Sequence, residues 1–164
     1  MSAPIYSFVA YSGTGKTSLL EQLVPILKGK GLRVAVIKHD AHDFEVDKKG
    51  KDSWRMTRAG ADVCVVCSPT HAAIMENRPR SVEELLGLIT DVDIILTEGY
   101  KHGPWRKIGL HRSATGKPLP EIEGEYLAVV SDVKLPVDTL IFELNDIEGL
   151  AELIISDMEK NNEQ

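Results

Sequence analysis

Residues 9–20 read VAYSGTGKTSLL, between an apolar run and a leucine-rich helical pattern. No other stretch restricts the fold as strongly, because a strand, a glycine-rich turn and a helix start follow one another without a gap. The phosphate-binding pattern G-x-x-x-x-G-K-[ST] runs through Ala10, Tyr11, Ser12, Gly13, Thr14, Gly15, Lys16 and Thr17, with alanine in place of the first glycine. Ala10 suits the pattern if it closes the strand at negative φ. Gly13 and Gly15 then let backbone N–H groups turn toward an anion, beside the positive end of the helix that follows. Lys16 is expected to reach the β and γ phosphates of a nucleotide, and the Thr17 hydroxyl to ligate Mg²⁺.

The rest of the chain supplies the layers such a turn needs. Short, nearly continuous apolar runs at 5–10, 34–37, 63–67, 94–97, 127–130 and 140–142 suit strands covered on both faces. Helical patterns lie between them. Leu19, Leu20, Leu23, Ile26 and Leu27 share one face, and Pro25 is expected to kink or shorten that helix. Ser81 with Glu84, and Asn145 with Glu148, read as capping boxes, the second opening a C-terminal helix at about 146–160. Two apolar runs around SPTH within 61–77 stand too close for a crossover helix and predict a β-hairpin. The expected fold class is α/β, with a mostly parallel sheet plus that hairpin, in a single domain over 1–164.

Composition removes several function classes. With 19 basic against 25 acidic residues the net charge is −6, which argues against nonspecific nucleic-acid binding. No apolar stretch approaches the roughly 18 residues of a membrane span, and no signal peptide is visible, so the expectation is a cytoplasmic chain without a membrane partner. Cys64 and Cys67 are the only cysteines. On a strand, residues three apart point to opposite faces, so the pair is expected to be buried structural thiols rather than a redox or zinc motif.

A phosphate-bound Mg²⁺ also needs an acid near the loop. In DVDIILTEGYK, Glu98 follows the strand and Asp93 precedes it, roughly 16 Å away at the rise of a strand. Ligands gather at the carboxyl ends of parallel strands, so Glu98 is the candidate to hold Mg²⁺ or orient a nucleophile, and Asp93 is structural. The segment KHDAHDFEVDKKGKDSWR leaves another strand at the same end. Lys38 and His39 are candidates for an anionic partner, and Asp47 or Asp52 for the metal's outer shell. His39, Asp40, His42 and Asp43 lack a recognised zinc spacing. Asp132, in the turn SDV, could accept from the two donors that guanine presents and adenine does not, or simply cap the turn.

YSGTGKT, VIKHDAHDFEVDKKGKDS, RAGAD, TEGYKH and VVSDV, in that order, resemble the molybdopterin-guanine dinucleotide biosynthesis adaptor family, MobB, over nearly the whole chain. GTGKT is shared by all P-loop proteins; the lysine–histidine segment, EVDKKGKDS and EGYKH are far more specific. The resemblance implies a P-loop NTPase-like three-layer sandwich. It also implies a GTP-binding homodimer that assists the guanylyltransferase attaching GMP to molybdopterin, with at most weak GTPase activity. Carried over residue by residue, it places nucleotide contacts at Gly13, Thr14, Gly15, Lys16, Thr17, Ser18, Lys38, His39, Lys101 and Asp132, and Mg²⁺ contacts at Thr17, Glu98 and Asp47. Lys16 and Glu98 would carry any hydrolysis. It gives the hairpin a role in pairing with the partner subunit, and turns Lys38–His39 and Lys101–His102 toward a phosphate-bearing pterin or the transferase. The alternative is a P-loop small-molecule kinase, with Arg106 and Arg112 forming an arginine-bearing lid.

Overall fold

A computed structural model describes residues 3–39 and 44–162. The strands are β1 (Ile5–Val9), β2 (Val34–Lys38), β3 (Val63–Cys67), β4 (Ala72–Glu76), β5 (Ile94–Glu98), β6 (Arg106–His111), β7 (Tyr126–Ser131) and β8 (Leu140–Phe142). The helices are α1 (Lys16–Gly29), α2 (Asp52–Arg58), α3 (Val82–Leu88) and α4 (Ile147–Asn162). The chain divides into two compact units, Met1–His39 with Asp91–Gln164, and Asp40–Thr90. No helix among the described residues is long and apolar enough to cross a membrane.

The first unit is an α/β layer structure on a six-stranded sheet of order β2-β5-β1-β6-β7-β8, in which every pairing is parallel. Alternate residues of each strand point to one face. On that face Tyr6, Phe8, Ile94, Leu96, Ile108, Leu110, Ala128 and Val130 pack with Leu19, Leu20, Leu23 and Leu27 of α1 and Leu150, Ala151, Ile154 and Met158 of α4. Burying each large side chain contributes about 1.5–3 kcal/mol, which is why the leucine stripe of α1 fixes the direction in which the chain leaves the glycine turn.

The opposite face is partly polar. Thr97 and Ser7 are opposite in register and fully buried, with the Thr97 hydroxyl donating to Ser7 Oγ at 2.8 Å. Beside them in register, Lys107 is 5% exposed, and its ammonium donates to the carbonyls of Gly103 (2.6 Å) and Trp105 (3.1 Å). Those bonds tie down the connection from β5 to β6. There is no room for a side chain at Gly103, where an added Cβ would stand 2.7 Å from the Trp105 ring.

Three expectations are corrected in this unit. α1 is not shortened at Pro25 but continues to Gly29, because Pro25 lies on its exposed side, where water can serve the carbonyl left without a donor. α4 is capped one residue later than read, with Gly149 N–H donating to Asp146 Oδ1 at 3.1 Å. The segment Arg106–His111, read only as a possible lid, is the interior strand β6. Its lysine and glycine hid it: Lys107 is buried because two carbonyls receive it, and Gly109 because Leu119 and the Tyr126 ring come to about 3 Å from where a Cβ would be.

In the second unit β3 and β4 form the expected antiparallel hairpin, pairing Val63 with Glu76 and Val65 with Ile74. α3 is capped as expected by Ser81, which accepts from Glu84 N–H at 3.2 Å while Glu84 accepts from Ser81 N–H at 2.8 Å. The short helix α2 begins inside the charged segment KHDAHDFEVDKKGKDSWR. Neither thiol is a buried core group: Cys64 is half-buried near Ser53, and Cys67 is exposed. Val63, Val65 and Ile74, on one face of the hairpin, are 50%, 60% and 70% exposed.

One ion pair in each unit gives the fold an acid limit. Asp93 accepts from the Arg33 guanidinium at 3.0 and 3.2 Å and from its backbone N–H at 2.7 Å, which lowers its pKa from 3.8 to about 2. Glu76, bonded to Arg80 and Arg78, is lowered from 4.5 to about 2. A carboxylate with a depressed folded-state pKa stabilises the fold fully above its unfolded value and loses that contribution as pH falls through the folded one. Thermal midpoints are therefore expected to fall between about pH 4.5 and 2, and Arg33→Gln to remove the part due to Asp93. An acid dependence unchanged by Arg33→Gln would refute the assignment to this pair.

Candidate functional site

The turn after β1 adopts the conformation its glycines were expected to allow. Gly13 and Gly15 have φ of +81° and +102°, in the left-handed region that side chains rarely enter, and Gly15 is the N-cap of α1. Thr14 is buried, and its hydroxyl donates to Tyr11 O at 2.9 Å, closing the turn. The Lys16 ammonium donates to the carbonyls of Ala10 (2.7 Å) and Tyr11 (3.2 Å), so it lies back along the turn that its own residue follows. Burial lowers its pKa, Glu98 pulls it back up, and the ammonium groups of Lys38 and Lys117 lower it again. The site thus concentrates positive charge within an acidic chain.

Glu98 closes β5, whose neighbour β1 feeds the glycine turn, and pairs with Phe8 in register. The Thr17 hydroxyl lies 3.1 Å from each of its carboxylate oxygens. A hydroxyl and a carboxylate are the hard oxygen donors that suit Mg²⁺, which takes few protein ligands and completes its shell with water and phosphate oxygens. No group of three or more histidine, cysteine or acidic side chains that could hold a metal occurs among the described residues.

The other candidates divide by place. Ser18 is exposed in the first turn of α1. Lys38 is exposed at the end of β2, opposite Glu98 in register. His39 N–H donates to Glu98 O at 3.1 Å, and its ring lies 4.9 Å from that of Tyr100. Lys101 and His102 are exposed in the turn beyond. Asp47 belongs to the second unit, where Oδ1 accepts from Lys48 N–H at 2.8 Å and Oδ2 is buried without a hydrogen bond among the described residues. Asp40, His42 and Asp43 lie outside the described residues.

Asp132 is engaged locally. Its two oxygens accept from Ser113 N–H (2.8 Å) and the Ser113 hydroxyl (2.7 Å), and these bonds hold its pKa below the usual carboxylate value. It anchors the short 3-10 turn Ser113–Thr115 that follows β6. Two cations beyond β6 reach the glycine turn: Arg112, expected only as part of a lid, and Lys117, to which no sequence feature gave a role. A guanidinium nitrogen of Arg112 stands 3.5 Å from where a Gly15 Cβ would be, and the Lys117 ammonium donates to Ser12 O at 3.1 Å. The signal was the cluster HRSATGK itself, legible only once β6 is recognised as running beside β1. Arg106 faces elsewhere, with its Nε 2.9 Å from Asp157 of α4.

Comparison with known proteins extends these observations. The family model for molybdopterin guanine dinucleotide synthesis protein B, MobB, matches residues 5–132. The chain is 41% identical over 167 residues to the molybdopterin-guanine dinucleotide biosynthesis adapter protein of Escherichia coli, covering 97% of this chain and 95% of that protein. It is 42% identical over 155 residues to the protein of the same name from Haemophilus influenzae, covering 92% and 87%. A crystal structure of molybdopterin-guanine biosynthesis protein B superposes with a TM-score of 0.73 at 29% identity, covering 94% of this chain and 99% of that one. The crystal structure of Bacillus subtilis MobB gives 0.76 at 26% identity, covering 93% and 96%. Matched by that model over most of its length, and by these relatives over nearly all of it, the chain belongs to the MobB family.

Proposed function

We propose that this chain is a GTP-binding adaptor in molybdopterin guanine dinucleotide biosynthesis, working beside the guanylyltransferase that attaches GMP to molybdopterin. The observation that carries the nucleotide part is the Thr17 hydroxyl within 3.1 Å of both Glu98 oxygens, next to a glycine turn that opens a helix. In this reading the turn's amides and Lys16 hold the phosphates. Thr17 and Glu98 would hold Mg²⁺, which supplies charge neutralisation on the phosphate oxygens. Membership in the family, whose relatives bear the adapter name, supports the biosynthetic role.

Neither Lys16 nor Thr17 activates water, so intrinsic hydrolysis would be slow, well below one turnover per second. The test is reconstitution: purified guanylyltransferase, molybdopterin and GTP with Mg²⁺, with and without this protein. Faster formation of the guanine dinucleotide supports the adaptor role, and an unchanged rate would sink it.

The protein is further read as a cytoplasmic homodimer paired through the hairpin. Val63, Val65 and Ile74 leave an apolar face that is a liability for a lone chain. Ile74→Asp is expected to shift the protein from dimer to monomer in sedimentation at micromolar concentration. A dimer that persists unchanged in this variant would place the interface elsewhere.

A further inference from the structure

Arg112 is exposed, yet its guanidinium is not spent on another side chain. Among the described residues the guanidinium makes no hydrogen bond or ion pair, whereas the Arg112 carbonyl accepts from Thr115, and the guanidinium stands 3.5 Å from the position a Gly15 Cβ would take. Its placement is built from the far side of the sheet. β6 and β7 run side by side with His111 opposite Ser131. Asp132, just past the end of β7, takes both the N–H and the hydroxyl of Ser113, the residue after Arg112. His111 Nδ1 lies 3.2 Å from Ser131 Oγ, a second tie across the same two strands. The backbone that carries Arg112 is therefore fixed at both of its neighbours.

Several cations gather at this turn. Lys16 already feels Lys38 and Lys117 as destabilising neighbours, and Lys117 reaches the same turn at Ser12 O. Against these cations the described residues set one carboxylate at the turn, Glu98, which Thr17 engages. A fourth cation is brought against Gly15, and its planar fork of five donors matches the paired oxygens of a phosphate, the anion that the glycine turn's own amides suit.

We propose that Arg112, positioned by Asp132 through Ser113, is an additional ligand for the polyphosphate of a nucleotide held at the Gly13–Thr17 turn. This rests on the reading of that turn as a nucleotide site. It gives Asp132 a role as a positioning residue and leaves guanine recognition to other groups.

The test is calorimetric titration with GTP, at fixed Mg²⁺ and low salt, of the unsubstituted protein and of Lys16→Ala, Arg112→Ala, Arg112→Lys, Asp132→Ala and the Arg112→Ala/Asp132→Ala double variant. Loss of one charge-assisted contact corresponds to about a tenfold weaker affinity for Arg112→Ala, with partial recovery in Arg112→Lys because a point charge keeps attraction without the fork. Asp132→Ala is expected to weaken binding on its own and to add nothing once Arg112 is gone, a non-additivity that a general loss of fold would not produce. Unchanged affinity in Arg112→Ala, with Lys16→Ala still deficient, overturns the assignment of Arg112 while leaving the nucleotide site standing. Equal, additive losses from Arg112 and Asp132 overturn the positioning role. No GTP binding by the unsubstituted protein overturns the nucleotide reading and this inference with it.

Discussion

Lys16→Ala is expected to weaken GTP binding by on the order of 100-fold while leaving the chain folded. The ammonium now donates to the carbonyls of Ala10 and Tyr11, so its stem already lies along the turn where phosphates would sit. Exchanging a carbonyl for a phosphate oxygen replaces a neutral acceptor with a charged one, worth about 1.5–3 kcal/mol per bond. Burial lowers the ammonium's pKa, and the Glu98 carboxylate opposes that shift and favours the charged form. In the variant the two carbonyls lie beside an exposed turn that water can reach, so the thermal midpoint without nucleotide should change little. An affinity within twofold of the unsubstituted protein would show that Lys16 does not touch the nucleotide.

Asp157→Ala is expected to cost about 3 kcal/mol of folding free energy, read as a lower urea midpoint at unchanged slope. Asp157 Oδ2 accepts from the fully buried Tyr6 hydroxyl at 2.7 Å, from Arg106 Nε at 2.9 Å and from Asn161 Nδ2 at 3.2 Å. Burial and the nearby carboxylate push the Tyr6 hydroxyl well above its usual pKa, so it remains a donor across the working pH range. Removing the carboxylate leaves that donor, between β1 and α4, only the long bond to the Ile154 carbonyl at 3.4 Å. Tyr6→Phe should cost less, about 1 kcal/mol, because Arg106 and Asn161 still serve Asp157. The network lies toward the amino end of the sheet, where Arg106 pairs with Tyr6, so GTP affinity should be unaffected. A loss below 1 kcal/mol for Asp157→Ala would mean that the carboxylate is hydrated in place.

Local chemistry was legible in the sequence, and long-range packing was not. The glycine turn, the capping box at Ser81 and the hairpin each depend on residues within a few positions of one another, and all three form as read. Glu98 could be placed because a strand's carboxyl end is a position countable from the apolar run. β6 could not, since Lys107 and Gly109 break its apolar pattern and only distant partners make them acceptable inside. The same gap left Arg112 named only as part of a lid, and left Asp132 open between reading a base and capping its turn, of which its bonds to Ser113 show the capping. The thiols were misread for the opposite reason: the valine-rich pattern of a core strand belongs here to a hairpin with one face open.

The most direct measurement is a calorimetric titration of the unsubstituted protein with GTP and with ATP, each with and without Mg²⁺. Saturable binding of GTP that is tighter than that of ATP and strengthened by Mg²⁺ is the predicted result. Binding of neither nucleotide, or a preference for ATP, would contradict the GTP-binding adaptor.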